Sequence, residues 1–212
     1  MPIHHPSLDL LQSAAAGQLT VAVHKVILAH AALCPDCRKD LGKFEAIGGA
    51  MLDEEPGLAM STGALERALA AVGADGTNAV TAMPDWLQAV PASVRDIIAD
   101  IAANATGTPT LTLMQTMGTN RETMELVRIE PGKAIPPHAH EGAEYTLVLT
   151  GAFRDERGLF AQGDLAINDA RHTHRPIAEP GETCIALIVT TAALRFKGPL
   201  GLLQRVMNLG RG

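Results

Sequence analysis

The sequence predicts a multidomain chain, α followed by all-β. A small helical module covers residues 1–75, a linker 76–84, an antiparallel β-barrel 85–197 and a tail 198–212. Three observations carry this reading. Apolar residues recur at helical spacing as far as Val72, then at alternate positions from Thr110 onward. Gly and Pro cut the second half into short segments, the pattern of a sandwich or barrel. Between the halves, the stretch from Gly73 to Pro84 has little periodicity and two Gly. A chain of 212 residues also suits two domains better than one.

The elements follow in order. Ser7 caps a short helix carrying Leu8, Leu11 and Ala15, and Gly17 stops it. Leu19, Val23, Val26, Ile27, His30 and Leu33 share one face of a second helix. A third follows Cys34 and Cys37, with Leu41, Phe44, Gly48, Met51 and Leu52 on one stripe. A fourth starts near Ser61 and carries Leu65, Ala68, Leu69 and Val72. Residues 85–106 mix signals: Ser93 to Ile101 suits a short helix, whereas Pro91 and the run up to Pro109 suit irregular chain. Strands are predicted from Thr110 to Met114, Glu125 to Glu130, Glu144 to Thr150, Asp164 to Asn168 and Cys184 to Thr190. Leu200, Leu203 and Val206 fit one amphipathic helix in the tail.

Composition excludes several classes. Net charge is −6 with no basic block, which disfavours direct nucleic-acid binding. No run approaches the ~18 apolar residues of a membrane span. The start, Met-Pro-Ile-His-His, shows neither a basic nor an apolar signal region, so a cytoplasmic location is expected. Three Cys are too few for a disulfide framework and suit a reducing compartment.

Two clusters carry chemistry. The first is Gly132-x5-His138-x-His140-x3-Glu144-x6-Gly151, with Gly163-Asp164-x9-His174 downstream. His138 and His140 alternate by two and point to one side of a strand, and Glu144 opens the next strand. Two imidazoles and a carboxylate on one face form the nucleus of a first-row metal site, with His174 as the fourth ligand. His172 competes weakly for that place. The second cluster is His30-x3-Cys34-x2-Cys37 at a junction between helices. A helix N-terminus lowers thiolate pKa, which favours metal ligation there. Three ligands need a fourth for tetrahedral zinc. His5 is the best candidate and His4 the fallback. A redox Cys-x-x-Cys normally follows a strand, and here the context is helical with a His one turn upstream, which favours zinc. His24 lies off the ligand face and reads as a surface residue. Cys184, Trp86 and Tyr145 read as packing residues.

The first of these clusters resembles the cupin family, antiparallel barrels whose metal is held by three His and one Glu. The first cupin motif matches at every spacing. The second matches at Gly163, Asp164 and His174 but lacks the usual Pro before that Gly and the Asn after the His. A His/Cys module ahead of a cupin barrel in turn resembles the ChrR-type zinc anti-sigma factors of bacteria. The matching residues are His4 and His5, His30-x3-Cys34-x2-Cys37, Gly48-Gly49, and Tyr145-Thr-Leu-Val-Leu-Thr-Gly-Ala-Phe-Arg-Asp-Glu156. The resemblance implies that the helical module binds an extracytoplasmic-function-type sigma factor, one to one, and that the barrel senses singlet oxygen or a hydroperoxide. It implies zinc at His5, His30, Cys34 and Cys37, and zinc or another divalent metal (Fe, Mn or Ni) at His138, His140, Glu144 and His174. A homodimer through the cupin domain is compatible with it. The rival class is a metal-dependent cupin dioxygenase or isomerase, which would have no need of the His-x3-Cys-x2-Cys element.

Overall fold

The computed structural model describes residues 1–74, 85–103, 114–116, 122–169, 171, 173–192 and 194–196. The predicted linker 76–84, the tail 198–212 and His172 lie outside the described residues. So does all of the strand predicted from Thr110 except Met114.

Five helices come first: α1 (Leu8–Ala15), α2 (Val21–Leu33), α3 (Pro35–Asp53), α4 (Ala64–Ala74) and α5 (Ala92–Ala103), with a 3-10 turn at Asp85–Ala89 before α5. Ser7 caps α1 by accepting from the Leu10 amide, and Gly17 leaves the helix at φ 65°. Thr20 caps α2, and its hydroxyl also donates to Glu122 Oε1 at 2.5 Å. One extended residue, Cys34, ends α2 and begins α3, with Pro35 occupying the first helical position. The signals that mixed over 85–106 resolve as the 3-10 turn followed by a full helix, α5, which packs on α2.

Eleven strands are described. β1 (Met114–Thr116), β2 (Thr123–Ile129), β10 (Cys184–Thr190), β4 (Glu144–Thr150) and β7 (Leu165–Asn168) form a five-stranded sheet in the order β1-β2-β10-β4-β7, antiparallel throughout. Two three-stranded sheets complete the barrel. One is β11 (Leu194–Phe196), β3 (His138–His140) and β8 (Thr173–His174). The other is β6 (Gly158–Ala161), β5 (Ala152–Asp155) and β9 (Ile177–Ala178).

The period of two sorts the five-stranded sheet cleanly. Val127, Ile129, Val148, Ala166, Cys184 and Ala186 face inward and meet Phe153 and Phe160. Met124, Leu126, Leu147, Leu149, Leu187 and Val189 face outward and join a second core built from α1, α2, α3 and α5. Every residue of β10 is therefore buried. This explains why its sequence is a continuous apolar run and not an alternation. Cys184 is part of the interior, and Trp86 and Tyr145 pack against the helical core, as their sequence context suggests.

One sequence expectation needs correction. The linker reading implied a helical module standing apart from the barrel, but the helices and the sheet share one core, with α2 against β4 and β10. The sequence places Leu41, Phe44, Gly48, Met51 and Leu52 on one stripe of α3, and the structure shows how much of that stripe is covered. Only Cys37 and Leu41 are buried, whereas Met51 and Leu52 are 66% and 72% exposed. The reason is length. The helix runs 19 residues, longer than the short α1 and the 13-residue α2 it packs against. The apolar face of α4 is likewise exposed, with Leu65 at 67% and Leu69 at 63%.

The shared core predicts a single unfolding event. Trp86 sits against it, so tryptophan fluorescence and far-UV circular dichroism are expected to trace one coincident urea transition. Leu187→Ala, at a fully buried position, is expected to lower stability by about 2–5 kcal/mol in both signals.

Candidate metal centres

Four side chains converge where α1, α2 and α3 meet. Ligating atoms of His5, His30, Cys34 and Cys37 all lie within 4.8 Å of one another. Local structure brings them there. His30 lies on the last turn of α2, Cys34 is the hinge residue, and Cys37 is on the first turn of α3. His5 precedes the cap of α1. His30 Nε2 stands 3.3 Å from Cys37 Sγ, and His5 Nδ1 stands 3.4 Å from each of Cys34 Sγ and Cys37 Sγ. Tetrahedral zinc with ordinary bond lengths places N and S ligands about 3.5 Å apart, so the donor set and its spacing fit that ion. His4 does not belong to the cluster. Its Nδ1 is 3.3 Å from Asp164 Oδ2, and its ring lies 4.3 Å from that of Phe160.

The electrostatics are those of a site that wants a cation. His30 is wholly buried, and burial lowers its pKa to about 4, leaving a neutral ring. Its Nδ1 is 2.8 Å from the Gly163 carbonyl. A carbonyl only accepts, so Nδ1 carries the proton and Nε2 turns a lone pair toward Cys37. At Cys37 burial works against the helix-terminus effect. Burial, with added hydrogen-bonding and charge effects from Cys34, pushes that thiol up to about 12. A thiol raised in this way is held as thiolate by a bound cation.

The second cluster lies inside the barrel. His138 on β3, Glu144 on β4 and His174 on β8 have ligating atoms within 4.8 Å of one another, and all three residues are buried. β3 and β8 pair His138 directly against His174. Their Nε2 atoms are 3.0 Å apart, and His174 Nε2 is 3.4 Å from Glu144 Oε1. Each ring is fixed from behind. His138 Nδ1 donates to the Pro136 carbonyl at 2.8 Å, and His174 Nδ1 lies 3.4 Å from the Asp155 carboxylate. Two imidazole Nε2 atoms facing each other beside a carboxylate call for positive charge among them: burial lowers the His138 pKa, yet the Glu144 hydrogen bond and charge raise it on balance, and the same donor set fits a divalent metal. His140 lies on β3 opposite Leu194; its side chain is outside the described residues.

Three supporting groups escaped the sequence reading. Asn168 on β7 donates to Glu144 Oε1 at 2.9 Å. Asp155 backs His174. Burial pushes its carboxyl up, yet hydrogen bonds from His174 and Arg157 outweigh this and bring it down to about 2. Glu125, on the inward face of β2, is raised first by burial and then by the charge of Glu144. The spacing of a ligand motif specifies ligands only. These groups come from strands distant in sequence, and only the barrel's registers bring them in.

The ChrR Cupin-like domain family matches residues 100–194. The anti-sigma-E factor ChrR of Cereibacter sphaeroides is 36% identical over 197 residues, spanning 91% of this chain and 92% of that protein. The chain belongs to the ChrR family of anti-sigma factors. The crystal structure of Rhodobacter sphaeroides SigE in complex with the anti-sigma ChrR superposes with a TM-score of 0.64 at 33% identity, covering 90% of this chain and 99% of that one. The match takes in helices and barrel together, and it places the protein among regulators, not among the cupin enzymes. None of the described helices is long and apolar enough to cross a membrane.

The two ligand sets predict close to two metal equivalents per chain, one of them lost in Cys34→Ser or Cys37→Ser. Elemental analysis of purified protein checks this. One equivalent in the wild type, unchanged by either substitution, would contradict it. The His30 shift predicts a pH dependence. In the metal-stripped chain the unfolded ring takes up its proton near pH 6.5 and the folded ring only near 4. The unfolded state therefore binds more protons in that window, so stability is full above about pH 6.5 and declines as the pH falls toward 4. Urea midpoints across this range, in wild type and in His30→Gln, are expected to show a shallower slope in the variant.

Proposed function

We propose that this protein binds an extracytoplasmic-function-type sigma factor in a one-to-one cytoplasmic complex, holds it inactive, and releases it on an oxidative signal, singlet oxygen or a hydroperoxide. The observation that carries the binding role is the apolar surface left open on α3 and α4. Ile47, Met51, Leu52, Leu65, Leu69 and Val72 are between 58% and 77% exposed, and none of the described side chains of α4 is buried. An amphipathic helix that buries nothing within its own chain offers its apolar face to another protein. The chain's acidity and lack of a basic block agree with a protein partner and not with DNA. The likeness to ChrR, whose partner in the crystal is SigE, names the kind of partner.

In this reading zinc occupies His5, His30, Cys34 and Cys37, where it supplies folding energy by tying the segment before α1 to the α2–α3 junction. The barrel set, His138, His140, Glu144 and His174, holds zinc, iron, manganese or nickel and serves as the sensor. It lies inside the barrel, away from the open faces of α3 and α4. A hundredfold fall in affinity for the sigma factor requires about 2.7 kcal/mol, within reach of losing one ligand from such a site.

Leu69→Asp places a charge on the open face of α4 at a position 63% exposed. It is expected to weaken sigma binding at least about tenfold, as measured by calorimetry with the cognate sigma factor, while the thermal midpoint stays unchanged. Unchanged affinity would mean the interface lies elsewhere. Glu144→Ala is expected to repress a sigma-dependent reporter normally but to respond poorly to singlet oxygen or hydroperoxide. A normal response would remove the barrel metal from the sensing role.

A further inference from the structure

The turn at Gly163 and Asp164 precedes β7 on the barrel, far in sequence from the His/Cys cluster, yet it touches the cluster from two directions. The Gly163 carbonyl accepts from His30 Nδ1 at 2.8 Å and so fixes the tautomer that aims Nε2 at Cys37. Asp164 holds the N-terminal segment. Its Oδ1 accepts from the amides of Ile3 at 2.6 Å and His4 at 3.0 Å. Its Oδ2 accepts from the Ala161 amide at 2.9 Å and lies 3.3 Å from His4 Nδ1. One residue on, the Leu165 amide donates to the His4 carbonyl at 3.1 Å. The segment bearing His5 is thus docked on the barrel just ahead of β7.

This matters because His5 is the weak member of its set. It is exposed, whereas His30, Cys34 and Cys37 are buried. It also lies in a segment without helix or strand of its own ahead of α1, so its place depends on what that segment docks against. The site admits no side chain at residue 163. Gly163 has φ +88°, and a Cβ there would come within 2.6 Å of Pro2 Cγ. The carboxylate of Asp164 is itself 2% exposed as a residue and fully engaged, which makes it a rigid anchor.

We propose that Gly163 and Asp164 are positioning residues of the N-terminal metal cluster, so that the barrel completes a site whose ligands all come from the helical half. The reading of that cluster as a zinc site underlies the proposal. Outer groups of this kind commonly change metal affinity by roughly 10–100-fold.

The test uses full-length, metal-loaded protein and follows cysteine alkylation by mass spectrometry, peptide by peptide. Cys184 lies buried within the barrel and serves as the internal standard for barrel integrity. In Asp164→Ala, Cys34 and Cys37 are expected to react roughly tenfold faster or more than in wild type, with Cys184 still protected. Ile3→Pro removes one donated amide without touching the barrel, and the same selective exposure is expected from it. That second variant decides the matter should Asp164→Ala expose Cys184 as well. Cys34 and Cys37 as protected in Ile3→Pro as in wild type would overturn the proposal. A metal-content assay separates the two readings: if wild-type protein holds no metal at Cys34 and Cys37, the zinc reading fails, whereas retained metal with unchanged reactivity in the variants refutes the positioning role alone.

Discussion

A sheet that is apolar on both faces cannot present either of them to water. β10 is buried along its whole length, and β2 and β4 each send one set of large side chains into the barrel and another outward. Covering the outward set, which includes Leu126, Leu147 and Leu187, is what holds α2 and α5 against the barrel. Once α2 lies there, His30 meets Gly163, and the segment ahead of α1 reaches Asp164. The same constraint sets what remains open. α3 outruns its neighbours, and α4 finds no place in the shared core, so their apolar faces are left open.

The two ligand sets solve one problem in different ways. In the helical half, a single extended residue between two helices brings His30, Cys34 and Cys37 together, and the docked segment ahead of α1 brings His5. In the barrel, pairing registers do the work: β3 against β8 sets His138 on His174, and β4 against β7 sets Glu144 on Asn168. β7 is common to both. Its leading end abuts the N-terminal segment, and its far end, Asn168, supports Glu144.

Much of this was legible in the sequence, and the part that was not has a physical reason. Helix caps and the ligand spacings are local, so Ser7, Gly17, His30-x3-Cys34-x2-Cys37 and the pairing of His138 with Glu144 could be read directly. The sequence puts the fourth ligand ahead of α1 but hardly separates His5 from His4, because both precede that helix; the contact of His4 with Asp164 is what sets them apart. Burial partners are not local. The period of the α3 stripe does not tell whether it faces the chain's own core or stays open, because both have the same spacing. The high pKa of Cys37 was equally hidden, since desolvation depends on what covers the thiol and not on its place at a helix start. The continuous apolar run of β10 suits burial on both faces, but nothing local in it tells that helices from the other half supply the second layer.

The central claim is that the open faces of α3 and α4 are where the sigma factor sits. Hydrogen exchange on the full-length protein, alone and in complex with its cognate sigma factor, tests it most directly. The account predicts strong new protection across residues 44–74, with β2, β4 and β10 unchanged because they are already buried on both faces. New protection confined to the barrel strands, with 44–74 exchanging as in the free protein, would contradict it.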